Sequence, residues 1–246
     1  MPRKLGLIAV LFALTACGGT VSKDTAASPS APSASPTASP SPTGPNVGGC
    51  FTEADGGIFS YGDGYTGVIM GTGPVGAVVS YERGGDVCAW RPLADRLKAA
   101  GYRVLLYDRS GAAAFGEDLI VEMAGRLRKE GVKRLFLVGG SIGGHMSIVA
   151  ATRLKKPAAA VVSLSGFALA EEVAPLDVPL LQITAENDRS PTPSIVEEVA
   201  RAAVDSPDRP VVIVRGEGAH ASRLFETAQS QMVLDTIMAF LAKHDG

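Results

Sequence analysis

The sequence predicts an α/β fold with a mostly parallel central sheet and helices on both faces, formed by residues 50–246. Three observations carry this reading. Apolar runs of strand length recur through that region, and most are continuous rather than alternating, as in strands covered on both faces. Segments with apolar residues three and four apart fall between them, each placing one stripe on one face of a helix. One strand-to-helix junction reads "GGSIGGH", crowding glycine around a single serine.

From the N-terminus, residues 1–16 open with Arg3 and Lys4, followed by the apolar run Leu5–Leu14. That run is shorter than the ~20 residues a spanning helix needs, and it ends in small residues, which makes it an export signal with a processing site. Its last residues, Leu14-Thr15-Ala16-Cys17, resemble the lipobox of bacterial lipoproteins. The resemblance implies that Cys17 carries lipid such as palmitate, starts the mature chain and anchors it to the outer face of the cell membrane. Segment 17–49 then carries Pro29, Pro32, Pro36, Pro40, Pro42 and Pro45 among Ala, Ser and Thr, with no aromatic residue. Such a composition buries too little surface to fold, so it reads as a disordered tether with a reach of ~30 Å.

The folded part opens with a hairpin in which "IFSY" and "TGVIM" flank Gly62-Asp63-Gly64. Strands are expected at Gly76–Tyr81, Arg103–Asp108, Arg134–Gly139, Ala159–Leu164, Pro179–Ala185 and Pro210–Arg215. Helical stripes run through Trp90, Leu93, Ala94 and Leu97, through Leu119, Met123 and Leu127, and through Ile148, Ala151 and Leu154. Thr192-Pro193 offers an N-cap and a first-turn proline for a helix through Ala203, and Val233, Ile237, Phe240 and Leu241 stripe the last one. Strand and helix alternating this often give a parallel sheet, with ligands meeting it beyond the carboxyl ends of its strands.

A formal net charge of −2, with no basic run, gives nucleic acid no footprint. Export also bears on Cys50 and Cys88: an even pair in an oxidising compartment reads as a disulfide, not as a metal or redox site. Oligomeric state is not legible.

Ser141 lies where the run "RLFLVG" gives way to the helix-like "MSIVAATRL". A turn tight enough to expose it brings residues two before and two after together, so both must be small; they are Gly139 and Gly143. In this setting "GGSIGG" resembles the nucleophile elbow of the α/β-hydrolase fold, and the element order is similar over residues 58–243. The resemblance implies a serine hydrolase of compact loops, similar to the dienelactone-hydrolase-like and small-esterase branches.

A serine hydroxyl attacks only when a base takes its proton, and the base needs a carboxylate to orient it. Of the three histidines, His244 reads as part of a frayed C-terminus and His145 as a packing residue one turn beyond Ser141. His220, in "GEGAHAS" after the last strand, stands where the family carries its catalytic histidine. The family's acid sits in the loop "ENDRSPTP", which points to Asp188, with Glu186, Glu171 and Glu172 as rivals. For the oxyanion, the resemblance implies the N–H of Ile142 and one from the loop "YERGG", with Arg83 aligned and Gly84 or Gly85 as alternatives. Asp108 reads as a turn residue, and Arg109 is left open as a substrate contact.

Only "SGFALAEEVAPLDV" separates two strands where many relatives insert a helical lid, so no lid domain is expected. The substrate is then a small-molecule ester or acyl compound in an open cleft, and the chemistry calls for no cofactor or metal. Acyl transfer and peptide cleavage share this chemistry, and a non-catalytic surface binding protein is the reading outside it.

Overall fold

A computed structural model describes residues 44–109 and 116–246. The signal, Cys17, most of the tether and segment 110–115 lie outside the described residues. Strand pairing starts ahead of residue 50: β1 (Asn46–Val47) pairs antiparallel with β2 (Phe51–Thr52), and Val47 and Phe51 are fully buried.

The expected hairpin is β3 (Gly57–Tyr61) against β4 (Tyr65–Met70), turning at Gly62-Asp63-Gly64. The remaining strands are β5 (Val75–Ser80), β6 (Arg103–Tyr107), β7 (Arg134–Gly140), β8 (Ala160–Leu164), β9 (Leu180–Ala185) and β10 (Val211–Val214), each within two residues of its expected bounds. Together they form an eight-stranded sheet in the order β10-β9-β8-β7-β5-β6-β4-β3. Every pairing from β10 to β6 is parallel, and only those made by β4 are antiparallel.

Helices cover both faces, which explains the continuous apolar strands. α1 (Arg91–Ala99) and the C-terminal α6 (Ser230–Lys243) bring Leu93, Leu97, Ile237 and Leu241 onto one face. α2 (Glu117–Lys129), α3 (Ile142–Arg153) and α5 (Pro193–Ala202) bring Met123, Leu127, Ile148 and Val199 onto the other. Pro193 begins α5 as expected, but the Thr192 hydroxyl bonds Ser194 and does not cap the helix. Between β8 and β9 stands only α4 (Ala170–Val173).

Cys50 and Cys88 form a disulfide whose ends are 38 positions apart. On the chain-entropy account a closed loop of that length stabilises the fold by about 3–4 kcal/mol. The bridge ties the β2 hairpin to a 3-10 turn, Val87–Trp90, in the loop after β5. The chain end is also packed: His244 Nε2 lies 2.8 Å from Asp208 and its ring meets Phe240, so this histidine is a structural partner and not a frayed one.

The order of strands reverses at β5, which is followed by β6 on one side and β7 on the other. A crevice therefore opens between the carboxyl ends of β5 and β7. Ser141 directly follows β7, and Tyr81 and Glu82 follow β5.

Candidate active site

Ser141 joins β7 to α3 with φ 50° and ψ −120°, a conformation that is strained for a residue with a Cβ. Its N–H donates to the Leu164 carbonyl at 2.8 Å, and its own carbonyl accepts from His145 N–H at 2.9 Å, so β8 and the first turn of α3 hold the strain. The glycines around it are required by space. A Cβ on Gly139 would stand 2.3 Å from the Gly143 carbonyl oxygen, and one on Gly143 would stand 2.1 Å from that of Ser80. Ile142 opens α3, so its N–H is among those that find no acceptor within the helix.

His220 precedes a 3-10 turn, Ala221–Glu226, in the loop after β10. Its Nδ1 lies 2.9 Å from Asp188 Oδ2 and 3.2 Å from Oδ1. A carboxylate only accepts, so Nδ1 carries the proton, which leaves Nε2 as the basic nitrogen. The pairing holds the His220 pKa above its ordinary value, against burial, which works to lower it. Burial works to raise the Asp188 carboxyl, but hydrogen bonds from His220, the Ser165 hydroxyl and Ser190 N–H outweigh it and keep that carboxyl below its ordinary value.

Two of the rival acids, Glu186 and Glu172, are engaged elsewhere. Glu186 accepts from Arg215 at 2.6 Å and from Gly216 N–H at 2.8 Å. Glu172 pairs with His145 at 2.7 Å and caps the N–H of Leu169 at 2.8 Å. Arg109 is buried, with its guanidinium 4.5 Å over the Tyr81 ring, and it borders neither cavity beside Ser141. Asp108 accepts from the Tyr81 hydroxyl at 3.1 Å and, through its carbonyl, from Tyr61. In the loop after β5, Arg83 and Gly84 are exposed, while Gly85 N–H is turned to the Glu82 carbonyl at 3.4 Å.

Two cavities meet at Ser141. One, of about 360 Å³, is walled by Ile142, Phe167, Pro191 and Ile195, with His145 and Ser165 also facing it. The other, of about 410 Å³, is walled by Asn187, Asp188, Gly218 and His220. Ser141, Arg189 and Ser190 border both. Hydroxyl and imidazole thus open onto one space, although no hydrogen bond joins them among the described residues. Such bonds commonly tighten only when substrate is bound.

Two residues at the rim were not singled out from the sequence. Glu82 is buried, and its carboxylate accepts from Trp90 Nε1 at 3.0 Å and from the Ser222 hydroxyl. Ser165 is also buried, with φ 48°; its hydroxyl accepts from Ala221 N–H at 3.1 Å while donating to Asp188. Ser165 directly follows the end of β8 and Glu82 stands two residues past the end of β5, and that position was the signal available for finding them.

No protein-family model matches the chain, and no curated protein matches it. Solved structures do. An esterase of Pyrococcus furiosus superposes with a TM-score of 0.66 at 16% identity, over 82% of this chain and 97% of that one. A monoacylglycerol lipase of Paleococcus ferrophilus gives 0.64 at 14%, over 74% and 99%. An alpha/beta hydrolase from the metagenome of lagoon sediments at Mar Chica, Morocco, gives 0.63 at 16%, over 77% and 100%. The chain has the α/β-hydrolase fold.

Proposed function

We propose that the protein is an exported serine hydrolase that cleaves carboxylic esters through an acyl-enzyme. The observation that carries this reading is the pairing of His220 Nδ1 with Asp188 at 2.9 Å on the same cavity as Ser141, a serine held at φ 50° between strand and helix. His220 Nε2 takes the Ser141 proton as the hydroxyl oxygen bonds to the ester carbonyl carbon. The ring then delivers that proton to the departing alcohol oxygen as the carbon–oxygen bond breaks. Water, activated by the same nitrogen, releases the acid.

Asp188 fixes the tautomer and stabilises the imidazolium. Ile142 N–H and a second donor from the loop after β5, aligned with Arg83, receive the oxyanion. Of the alternatives for that donor, Gly84 is favoured over Gly85, whose N–H is turned to Glu82. The esterase and lipase named above support an ester substrate, and the short connection between β8 and β9 supports a dienelactone-hydrolase-like or small-esterase branch. Lipid on Cys17 would hold the enzyme at the outer face of the membrane.

The test is labelling with a fluorophosphonate probe. The expected result is a stoichiometric adduct on Ser141 that is lost in Ser141→Ala, together with turnover of p-nitrophenyl butyrate. A folded protein that neither labels nor turns over any ester overturns the reading. For the anchor, metabolic labelling with palmitate that persists in Cys17→Ala would count against lipid at that residue.

A further inference from the structure

The two cavities that meet at Ser141 differ in chemistry, and the difference gives the substrate a direction. One is walled by Ile142, Phe167, Pro191 and Ile195. Phe167 and Ile195 also border a further groove of about 150 Å³ that runs along α5 to Val199 and Ala202. Phe167 and Leu169, at 42% and 46% exposed, extend this apolar surface to the solvent. The other cavity holds Asn187, Asp188, Arg189, Ser190 and His220, with no apolar side chain among them.

Arg189 stands at the junction. It is exposed, borders both cavities, and makes no hydrogen bond or ion pair with another described residue. The two carboxylates that just precede it in sequence are committed, Asp188 to His220 and Glu186 to Arg215. Its guanidinium charge is therefore not neutralised by them, and a guanidinium fork suits a carboxylate or phosphate oxygen pair.

The chemistry orients the ester between these walls. The group that protonates the leaving oxygen must reach it, so the alcohol portion lies over His220, in the polar cavity. The acyl portion is left with the apolar one. Resting on the hydrolase reading above, we infer that the substrate is an ester of an apolar acyl chain longer than acetyl with an alcohol bearing an anionic group, and that Arg189 binds that anion.

The experiment compares kcat/KM for hexanoyl esters of 4-hydroxybenzoate and of its neutral near-isostere 4-hydroxybenzamide, in wild type and in Arg189→Gln. The wild type favours the anionic leaving group, and the substitution lowers the anionic-to-neutral ratio about tenfold, the usual scale for a hydrogen bond to a charged group. A ratio that Arg189→Gln leaves unmoved overturns the role of Arg189. In parallel, Ile195→Trp fills the apolar cavity and lowers the hexanoyl-to-acetyl ratio on the benzoate esters; an unmoved ratio overturns the acyl placement. Fluorophosphonate labelling of each variant keeps the two readings apart. Absence of labelling and of all turnover counts against hydrolysis itself, whereas a labelled, ester-cleaving enzyme without these ratio shifts overturns this inference alone.

Discussion

The Glu82 carboxylate accepts the hydroxyl hydrogen of Ser222, two residues past His220, and so joins the loop after β5 to the loop that carries the imidazole. Its other oxygen takes Trp90 Nε1–H at 3.0 Å and faces Gly140, the residue before Ser141. One buried anion thus touches the surroundings of Ser141, the loop that carries His220 and the loop after β5. Its charge also adds to the forces that hold the His220 pKa up.

Glu82→Gln keeps the size of the side chain, and the Ser222 hydroxyl can turn to accept from the new amide, so the fold is expected to survive. What is lost is the charge. Removing an anion near an imidazole favours its neutral form, so the acid limb of kcat/KM against pH moves to lower pH. Glu82→Ala instead leaves the buried Trp90 N–H without a partner and lowers stability by about 1–3 kcal/mol. A pH profile and a denaturant melt on each variant separate the two effects, and an unmoved acid limb in Glu82→Gln denies the electrostatic role.

The pH dependence of the wild type follows from the His220–Asp188 pair. On the proposed mechanism catalysis needs a neutral ring, so activity rises with pH through a midpoint above the ordinary 6.5 of histidine. Stability runs the other way. Because the folded pKa of His220 is raised, its contribution is fully present below 6.5 and lost as pH rises through the folded value. Asp188, lowered from 3.8, contributes above that value and loses its contribution as pH falls through the folded one. Asp188→Asn is therefore expected to lower Tm most between those limits, and to reduce kcat by about 10⁴-fold, as loss of the tautomer-fixing carboxylate does in other triads. Melts and initial rates over a pH series check both.

Much of this architecture is legible in the chain because its signals are local. Runs such as "RLFLVG" and "PLLQITA" read as buried strands, and glycines at 139 and 143 announce a tight turn because nothing larger fits. His220 and Asp188 were approachable because each lies in a loop after a strand, where the resemblance to the α/β-hydrolase fold implies the base and the acid. Glu82 was not legible: glutamate is seldom buried, and the groups that make its burial tolerable come from Trp90, 8 residues on, and Ser222, 140 residues on. The same holds for His145 and Glu172, read separately as a packing residue and a rival acid, which prove to be each other's partners across 27 positions. The β1–β2 pair went unseen because Asn46-Val47 follows directly on the proline-rich tract, and α4 because four residues carry no helical period.

Ser165 offers a cleaner separation of strain from bonding. Three non-glycine residues among those described have positive φ, Ser141, Ser165 and Ala221, and all lie at this site. Ser165→Ala keeps the strained backbone and loses the hydroxyl that links Ala221 N–H to Asp188. Ser165→Gly loses the same hydroxyl and relieves the strain, worth about 1–2 kcal/mol for a residue held in the left-handed region. The two variants should lose kcat/KM equally, by about tenfold, while the glycine variant is at least as stable to denaturant. Unequal activity losses that track stability would show that Ser165 matters only for folding.

The Cys50–Cys88 bridge gives a last prediction, because Cys88 sits in the same 3-10 turn as Trp90, whose indole N–H holds Glu82. The bridge should therefore do more than shorten the unfolded chain's freedom. Replacing both cysteines with serine is expected to cost about 3–4 kcal/mol of stability. At a temperature well below the variant's Tm, where it is folded, a loosened turn should also lower kcat, because Glu82 no longer ties the loop after β5 to the His220 loop as firmly. The comparison requires circular dichroism to confirm the folded state and initial rates on the same sample. Full turnover in the folded double variant would confine the bridge to stability and leave the turn held by Trp90 packing alone.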